Sequence, residues 1–180
     1  MSENFKSIVE KNTCRVQLTS REFINENIFG QLIGYSTFLE VIFVNITFDN
    51  VDFGGSFFLS VTFKNCSFNQ VSFTRSQFED CTFLDCETSN SDFIKADLEK
   101  VTFKNSTILT SNLSGMDLTD IEFTKTIFKD NILKWNEVRG VKFLTPNNNW
   151  IQIEDFSNIE TLSQQVEKQN SEDFKTMTEG

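Results

Sequence analysis

Few side chains in this sequence are of kinds that could do chemistry. Histidine is absent, so no imidazole is available as a general base or metal ligand. Cys14, Cys66, Cys81 and Cys86 are the candidate nucleophiles, disulfide partners or zinc ligands. They form no paired short-spaced motif of the kind zinc sites use. Gly54-Gly55 is the one place where backbone could approach a phosphate, but no helix pattern follows it, so a turn or corner is expected there. Acids outnumber bases 26 to 16, a net charge of −10, yet no carboxylate pair has a spacing suited to holding a metal ion. The expectation is a protein without catalytic residues, cofactor or metal, whose function is carried by its surfaces.

The elements that position those surfaces follow a strict period. Every fifth residue from Leu18 to Phe143 is apolar, with Thr88 the single exception. A helix repeats every 3.6 residues and a two-faced strand every 2, so neither explains a period of five. A fixed period across most of a chain marks a repeat architecture. Two residues before each central apolar position stands a small or β-branched one, as in Val61, Cys66, Val71, Ser76, Cys81 and Cys86. No charge occupies this site between Ser36 and Val141, as expected of a buried position. Three of the cysteines fall here, so buried free thiols are expected.

Units such as Val61-Thr-Phe-Lys-Asn65, Cys81-Thr-Phe-Leu-Asp85, Ala96-Asp-Leu-Glu-Lys100 and Val101-Thr-Phe-Lys-Asn105 resemble those of the pentapeptide-repeat family. This chain prefers Phe to Leu at the centre and seldom has Ala at the small site. The resemblance covers about residues 16–145. It implies an all-β fold, a right-handed quadrilateral parallel β-helix with four units per coil and short helical terminal segments. Residues twenty apart should then stack. One such column, Phe23, Phe43, Phe63, Phe83, Phe103, Phe123 and Phe143, is entirely Phe. At a strand spacing of about 4.8 Å, roughly six coils make a rod about 30 Å long.

The same register assigns charges to sides. The side centred on Phe38, Phe58, Phe78, Leu98, Leu118 and Val138 carries Glu40, Glu79, Asp80, Asp97, Glu99, Asp117, Asp120 and Glu137 against Lys100 and Arg139, a net charge of −6. The two sides centred on Phe43 and Phe53 are mildly basic. Leu39, Ile42, Val44, Phe57 and Leu59 form an apolar cluster at outward positions near the N-terminal end. Either residues 1–15 fold over it or a partner protein does.

The chain divides into an N-terminal cap segment (1–15), the repeat (16–145), and a C-terminal cap helix with a polar tail (146–180). Phe5, Ile8 and Val9 could line one face of a short helix. Pro146 and the asparagines after it end the repeat. Ile159, Leu162 and Val166 give residues 159–169 an apolar face, expected to cover the last coil; the alternative is a dimer paired through this end, as in some family members. No apolar run suits a bilayer span or a signal core, so a cytoplasmic location and no membrane partner are expected. The expected function is non-enzymatic protein binding, with residues Glu40, Glu79, Asp80, Asp97, Glu99, Asp117, Asp120, Glu137, Leu39, Phe57 and Leu59 as the candidate contact set. The resemblance adds an alternative: some family members imitate DNA and bind DNA gyrase or topoisomerase IV. Direct nucleic-acid binding is not expected, because no continuous basic stripe exists.

Overall fold

The computed structural model describes residues 3–12, 14–145, 147–164 and 168. Successive pentapeptides form the successive sides of a square coil, and each coil pairs in parallel with the next at an offset of twenty residues, as in Phe63, Phe83 and Phe103. Three sides are ladders of short strands. The first runs from Gln17–Thr19 to Glu137–Arg139 in seven strands, and the third from Asn27–Phe29 to Ile127–Lys129 in six. The second runs from Glu22–Ile24 to Val141–Leu144 and is completed to eight strands by Trp150–Ile153.

The fourth side differs. It pairs through single residues only, from Leu32 to Ile132. The amides of Ser56, Ser76 and Ala96 bond back to the carbonyls of Phe53, Phe73 and Phe93 at 3.0 Å. These bonds close a local turn at the end of each unit on this side.

Each side ends at a corner whose residue has a positive φ, without a break from Arg15 to Gly140. Left-handed backbone suits Gly and Asn and costs other residues about 1–2 kcal/mol. Asn25, Asn45 and Asn65 occupy one corner column and bond side chain to side chain, at 2.8 and 3.2 Å. Gly140 leaves room at its corner for the Asp120 carboxylate of the coil below, which a Cβ would push aside.

The central apolar residues fill the inside of the square. Along the axis their rings stack: Phe58 and Phe78 are 4.6 Å apart at 4°, and Phe43 and Phe63 are 5.2 Å apart at 7°. Around each coil they meet edge to face, as Phe63 and Phe68 do at 78°. Both geometries are favourable for ring quadrupoles. Leu98, Ile108, Leu113 and Leu118 replace Phe in the later coils, and a cavity of about 10 Å³ remains there, at the lower limit for one water. Thr88 sits buried in its column between Phe68 and Ile108.

The small inward side chains have a polar task that hydrophobicity alone does not reveal. Ser36, Ser56 and Ser91 lie on backbone amides: Val16 N–H donates to Ser36 Oγ at 2.9 Å, and Ser36 N–H to Ser56 Oγ at 3.0 Å. Cys66, Cys81 and Cys86 instead direct their thiols at carbonyls of the preceding coil, those of Phe43, Phe58 and Phe63, at 3.4–3.5 Å. Ser106 makes the same bond to Phe83 O at 3.2 Å. Ser and Cys are therefore interchangeable donors at a buried site whose backbone needs partners.

Each end is plugged by a Phe from outside the repeat. Helix α1 (Phe5–Lys11) buries Phe5, Ile8 and Val9. Phe5 enters the core against Phe23 and Phe43, at 5.1 and 5.0 Å, and Glu26 accepts the Phe5 and Lys6 amides. At the other end Phe156 meets Phe123 and Phe128, at 5.9 and 5.8 Å. Ile159 and Ser163 of the helical turns over 159–164 are fully buried. Pro146, Val166 and the tail from Asn170 to Gly180 lie outside the described residues.

Candidate interaction surface

The first side carries both candidate sets on one strand face. Leu39 pairs in register with Leu59, and Thr37 with Phe57. One coil further on, Phe57 faces Gln77 and Leu59 faces Glu79. From there the columns turn acidic: Asp97, Asp117 and Glu137 follow one another, and Glu79 is followed by Glu99. A shallow hollow of about 130 Å³ lined by Phe57, Gln77, Glu79, Asp97 and Glu99 joins the apolar and acidic parts. Leu39, Phe57 and Leu59 are half-buried, and Ile42 beyond the corner is exposed.

Glu40, Asp80 and Asp120 occupy the corner column that borders this face, with Lys100 between the last two. Glu40 stands apart from the other acids and accepts a hydrogen bond from Ser20 Oγ at 2.7 Å. Helix α1 leaves the apolar cluster uncovered, because its buried residues go into the open end of the first coil instead.

A family model of the pentapeptide repeat region matches residues 56–143, which hold most of this face. Residues 56–143 are a repeat region of the pentapeptide-repeat family. No curated protein sequence matches it. Among solved structures, a trypsin-treated QnrB1, described as a plasmid-mediated fluoroquinolone resistance protein, is similar at a TM-score of 0.48 and 14% identity, over 69% of this chain and 73% of that one. HetL, a pentapeptide-repeat protein involved in heterocyst differentiation regulation from the cyanobacterium Nostoc sp. strain PCC 7120, is similar at a TM-score of 0.33 and 9% identity, over 82% and 99%. Rfr23 from the cyanobacterium Cyanothece 51142 is similar at a TM-score of 0.33 and 8% identity, over 72% and 85%.

The acids of this pentapeptide-repeat face are not equivalent. Lys100 pairs with Glu99 at 3.0 Å and Arg139 with Asp117 at 3.1 Å, all four side chains well exposed. Partial burial, then the neighbouring charges of Asp117 and Glu99, raise the Asp97 pKa above the ordinary carboxylate value. The folded chain therefore holds that proton more tightly than the unfolded chain does. Ionised Asp97 weakens the fold at neutral pH, and stability is regained as pH falls through the folded titration, levelling off below the unfolded one. Asp97→Asn is expected to stabilise the fold at neutral pH, with the gain shrinking in acid. Urea denaturation at both pH values checks this; an Asn variant no more stable than the parent at neutral pH would show that Asp97 carries no such strain.

The other chemically suggestive residues take structural places. Cys66, Cys81 and Cys86 are free and buried, and Cys14 is free and exposed. Burial pushes the Cys81 thiol up to about 12, so it is protonated and unreactive near neutrality. Gly55 is a corner residue with φ +67°, and a Cβ there would collide with the Tyr35 ring. Gly54 donates its amide to Asp52 Oδ1 at 2.7 Å. Among the described residues no three His, Cys, Asp or Glu side chains are grouped to hold a metal ion, and no helix is long and apolar enough to cross a membrane.

Sequence reasoning singled out none of the exposed aromatics Phe29, Tyr35, Trp135 and Trp150, whereas Phe156 is buried. The available signal was the corner rule: Trp135 falls at a corner position, where side chains project from the square.

Proposed function

We propose that this chain is a non-enzymatic protein-binding scaffold whose contact face is the first side. The observation that supports this reading most is the continuity of that face. Leu39 and Leu59 lead in strand register to Glu79 and Glu99, and one hollow joins Phe57 to Glu79, Asp97 and Glu99. Such a face suits a partner with an apolar contact bordered by basic groups, since buried apolar anchors supply affinity and charged rims supply selectivity. In this reading residues 1–15 and 146–180 serve as terminal caps and residues 16–145 as the binding rod.

A second reading is supported by the column Asp97, Asp117 and Glu137, which sets acids at successive coils along the axis. A regular line of negative charge can occupy a basic groove built for phosphates. In that case the partner is DNA gyrase or topoisomerase IV. The pairing of Glu99 and Asp117 with Lys100 and Arg139 weakens this line, so it ranks second.

One experiment separates the two. Affinity capture from the native host is run with the parent chain, with Phe57→Asp, and with Asp97, Glu99 and Asp117 all changed to Lys, while purified gyrase is assayed for supercoiling in parallel. The scaffold reading expects at least a tenfold loss of the captured partner with Phe57→Asp and no effect on gyrase. A DNA mimic inhibits supercoiling at low salt, loses that effect as salt screens the charges, and loses it altogether in the triple variant. A partner held equally well by Phe57→Asp would overturn the first reading.

A further inference from the structure

The fourth side presents a different kind of surface from the face discussed above. Its corner column reads Tyr35, Gly55, Arg75, Lys95, Gly115 and Trp135, all with positive φ. Tyr35 is 73% and Trp135 85% exposed. On the opposite rim of the same side Leu32 is 65% and Ile132 48% exposed. An apolar pair therefore stands at each end, five coils apart, or about 24 Å at the usual strand spacing. Between them lie Arg75 and Lys95, and neither enters an ion pair among the described residues.

Local chemistry opens the strip. Gly34, Gly54 and Gly55 have no side chains to fill it, and Tyr35, Asp52, Ser72, Thr74 and Arg75 complete an open groove of about 580 Å³. Asp52, Ser72 and Asn112 turn inward to accept the amides of Gly54, Thr74 and Ser114 in their own turns. These three acceptors are thus engaged locally. Among the described residues, Asp92 on the same rim has no such bond, and Arg75 and Lys95 on the other rim enter no ion pair. Bulky residues also fill two corners where Gly or Asn would sit at lower energy. Among the described corner residues, Tyr35 and Trp135 are the only aromatics, and both fall on this one column.

We propose that the fourth side is a docking strip for an extended acidic segment of a partner protein, with an apolar residue near each end. Tyr, Trp and Arg are the residue types that dominate protein-contact energetics, and here they stand in line. About seven extended residues at 3.3 Å each span the distance between the apolar ends. The unpaired Arg75 and Lys95 between them fit carboxylates. A nucleic-acid strand asks for basic groups along its whole run of phosphates, whereas this corner column offers Arg75 and Lys95 alone between its apolar ends. This strip is independent of the first-side contact face.

The probe is a ten-residue peptide with six central glutamates and two leucines at each end, titrated into the full chain by calorimetry and tryptophan fluorescence. Asn tolerates left-handed backbone, so Arg75→Asn with Lys95→Asn, Tyr35→Asn and Trp135→Asn test the strip without straining the fold. Saturable binding is expected. It should weaken at least tenfold in the double charge variant and severalfold in each aromatic variant, and remain unchanged in Phe57→Asp. No saturable binding, or equal binding by the Asn variants, would overturn the strip while leaving the first-side scaffold intact if Phe57→Asp still loses the native partner. Three other results would overturn the choice of occupant: tighter binding of a ten-nucleotide thymidine strand, tenfold stronger peptide binding after removal of residues 165–180, or a dimer of the chain that the peptide dissociates.

Discussion

Replacing Phe83 by alanine is expected to cost the fold about 3–5 kcal/mol, the range for emptying a large buried aromatic site. Phe83 is 1% exposed and sits mid-rod. Its ring stacks on Phe63 at 4.9 Å and on Phe103 at 4.7 Å, and meets Phe68 and Phe78 around the coil at 6.0 and 5.8 Å. The backbone pairing of Thr82, Phe83 and Leu84 with both neighbouring coils fixes the site, so the walls have little freedom to collapse into the gap. In a solenoid each repeat is held by its neighbours alone, and a defect at mid-rod weakens two interfaces at once. Urea denaturation followed by circular dichroism measures the loss. A cost below about 1 kcal/mol would show that Phe83 is outside the stack.

Deleting residues 147–180 is expected to turn a well-behaved chain into one that associates. The segment covers the last coil in three ways. Trp150–Ile153 pairs antiparallel with Val141–Leu144 and satisfies that edge. Phe156 closes the core over Phe123 and Phe128. Ser163 Oγ accepts the Phe128 amide at 3.1 Å, and Glu160 accepts the Asn131 amide at 2.7 Å. Without the segment, an unpaired strand edge and the ends of aromatic columns face water together, which is the usual template for edge-to-edge aggregation. Light scattering on both forms gives the answer. A full-length dimer that becomes a soluble monomer on deletion would show that this end pairs copies rather than caps the coil.

The columns were legible in the sequence because burial imposed a period no other element shares. The all-Phe column and the buried Thr88 needed only counting. The fourth side was not legible in the same way. Its central residues Ile33, Phe53, Phe73 and Phe93 keep the same apolar pattern as the others, and the difference lies in the local bonds from Ser56, Ser76 and Ala96 back to Phe53, Phe73 and Phe93. Backbone bonding of this kind leaves no trace in hydrophobicity. Counting puts Glu79, Asp97, Glu99, Asp117 and Glu137 on one strand face, because each shares a register with a buried neighbour, and leaves Glu40, Asp80 and Asp120 at its corner. Their pairing with Lys100 and Arg139, and the burial that perturbs Asp97, depend on side-chain directions that a period does not specify. Tyr35 and Trp135 were legible in part: the period places both at corners, where side chains project, but not whether anything covers them.

The offset of twenty residues between stacked positions makes the molecule a dial. Inserting or removing a single five-residue unit keeps an apolar residue at every inward position, since all four sides share that pattern, but turns everything downstream by one quarter. Such a change between Tyr35 and Arg75 would carry the acids downstream onto a neighbouring side and bring Arg75 and Lys95 out of line with Tyr35, at the cost of only five residues gained or lost. Four units restore every alignment and only lengthen the rod. Lineages of such chains can therefore exchange whole faces by short in-frame duplications, and two of them can share a fold and most of their residues while presenting unrelated surfaces to the same partner.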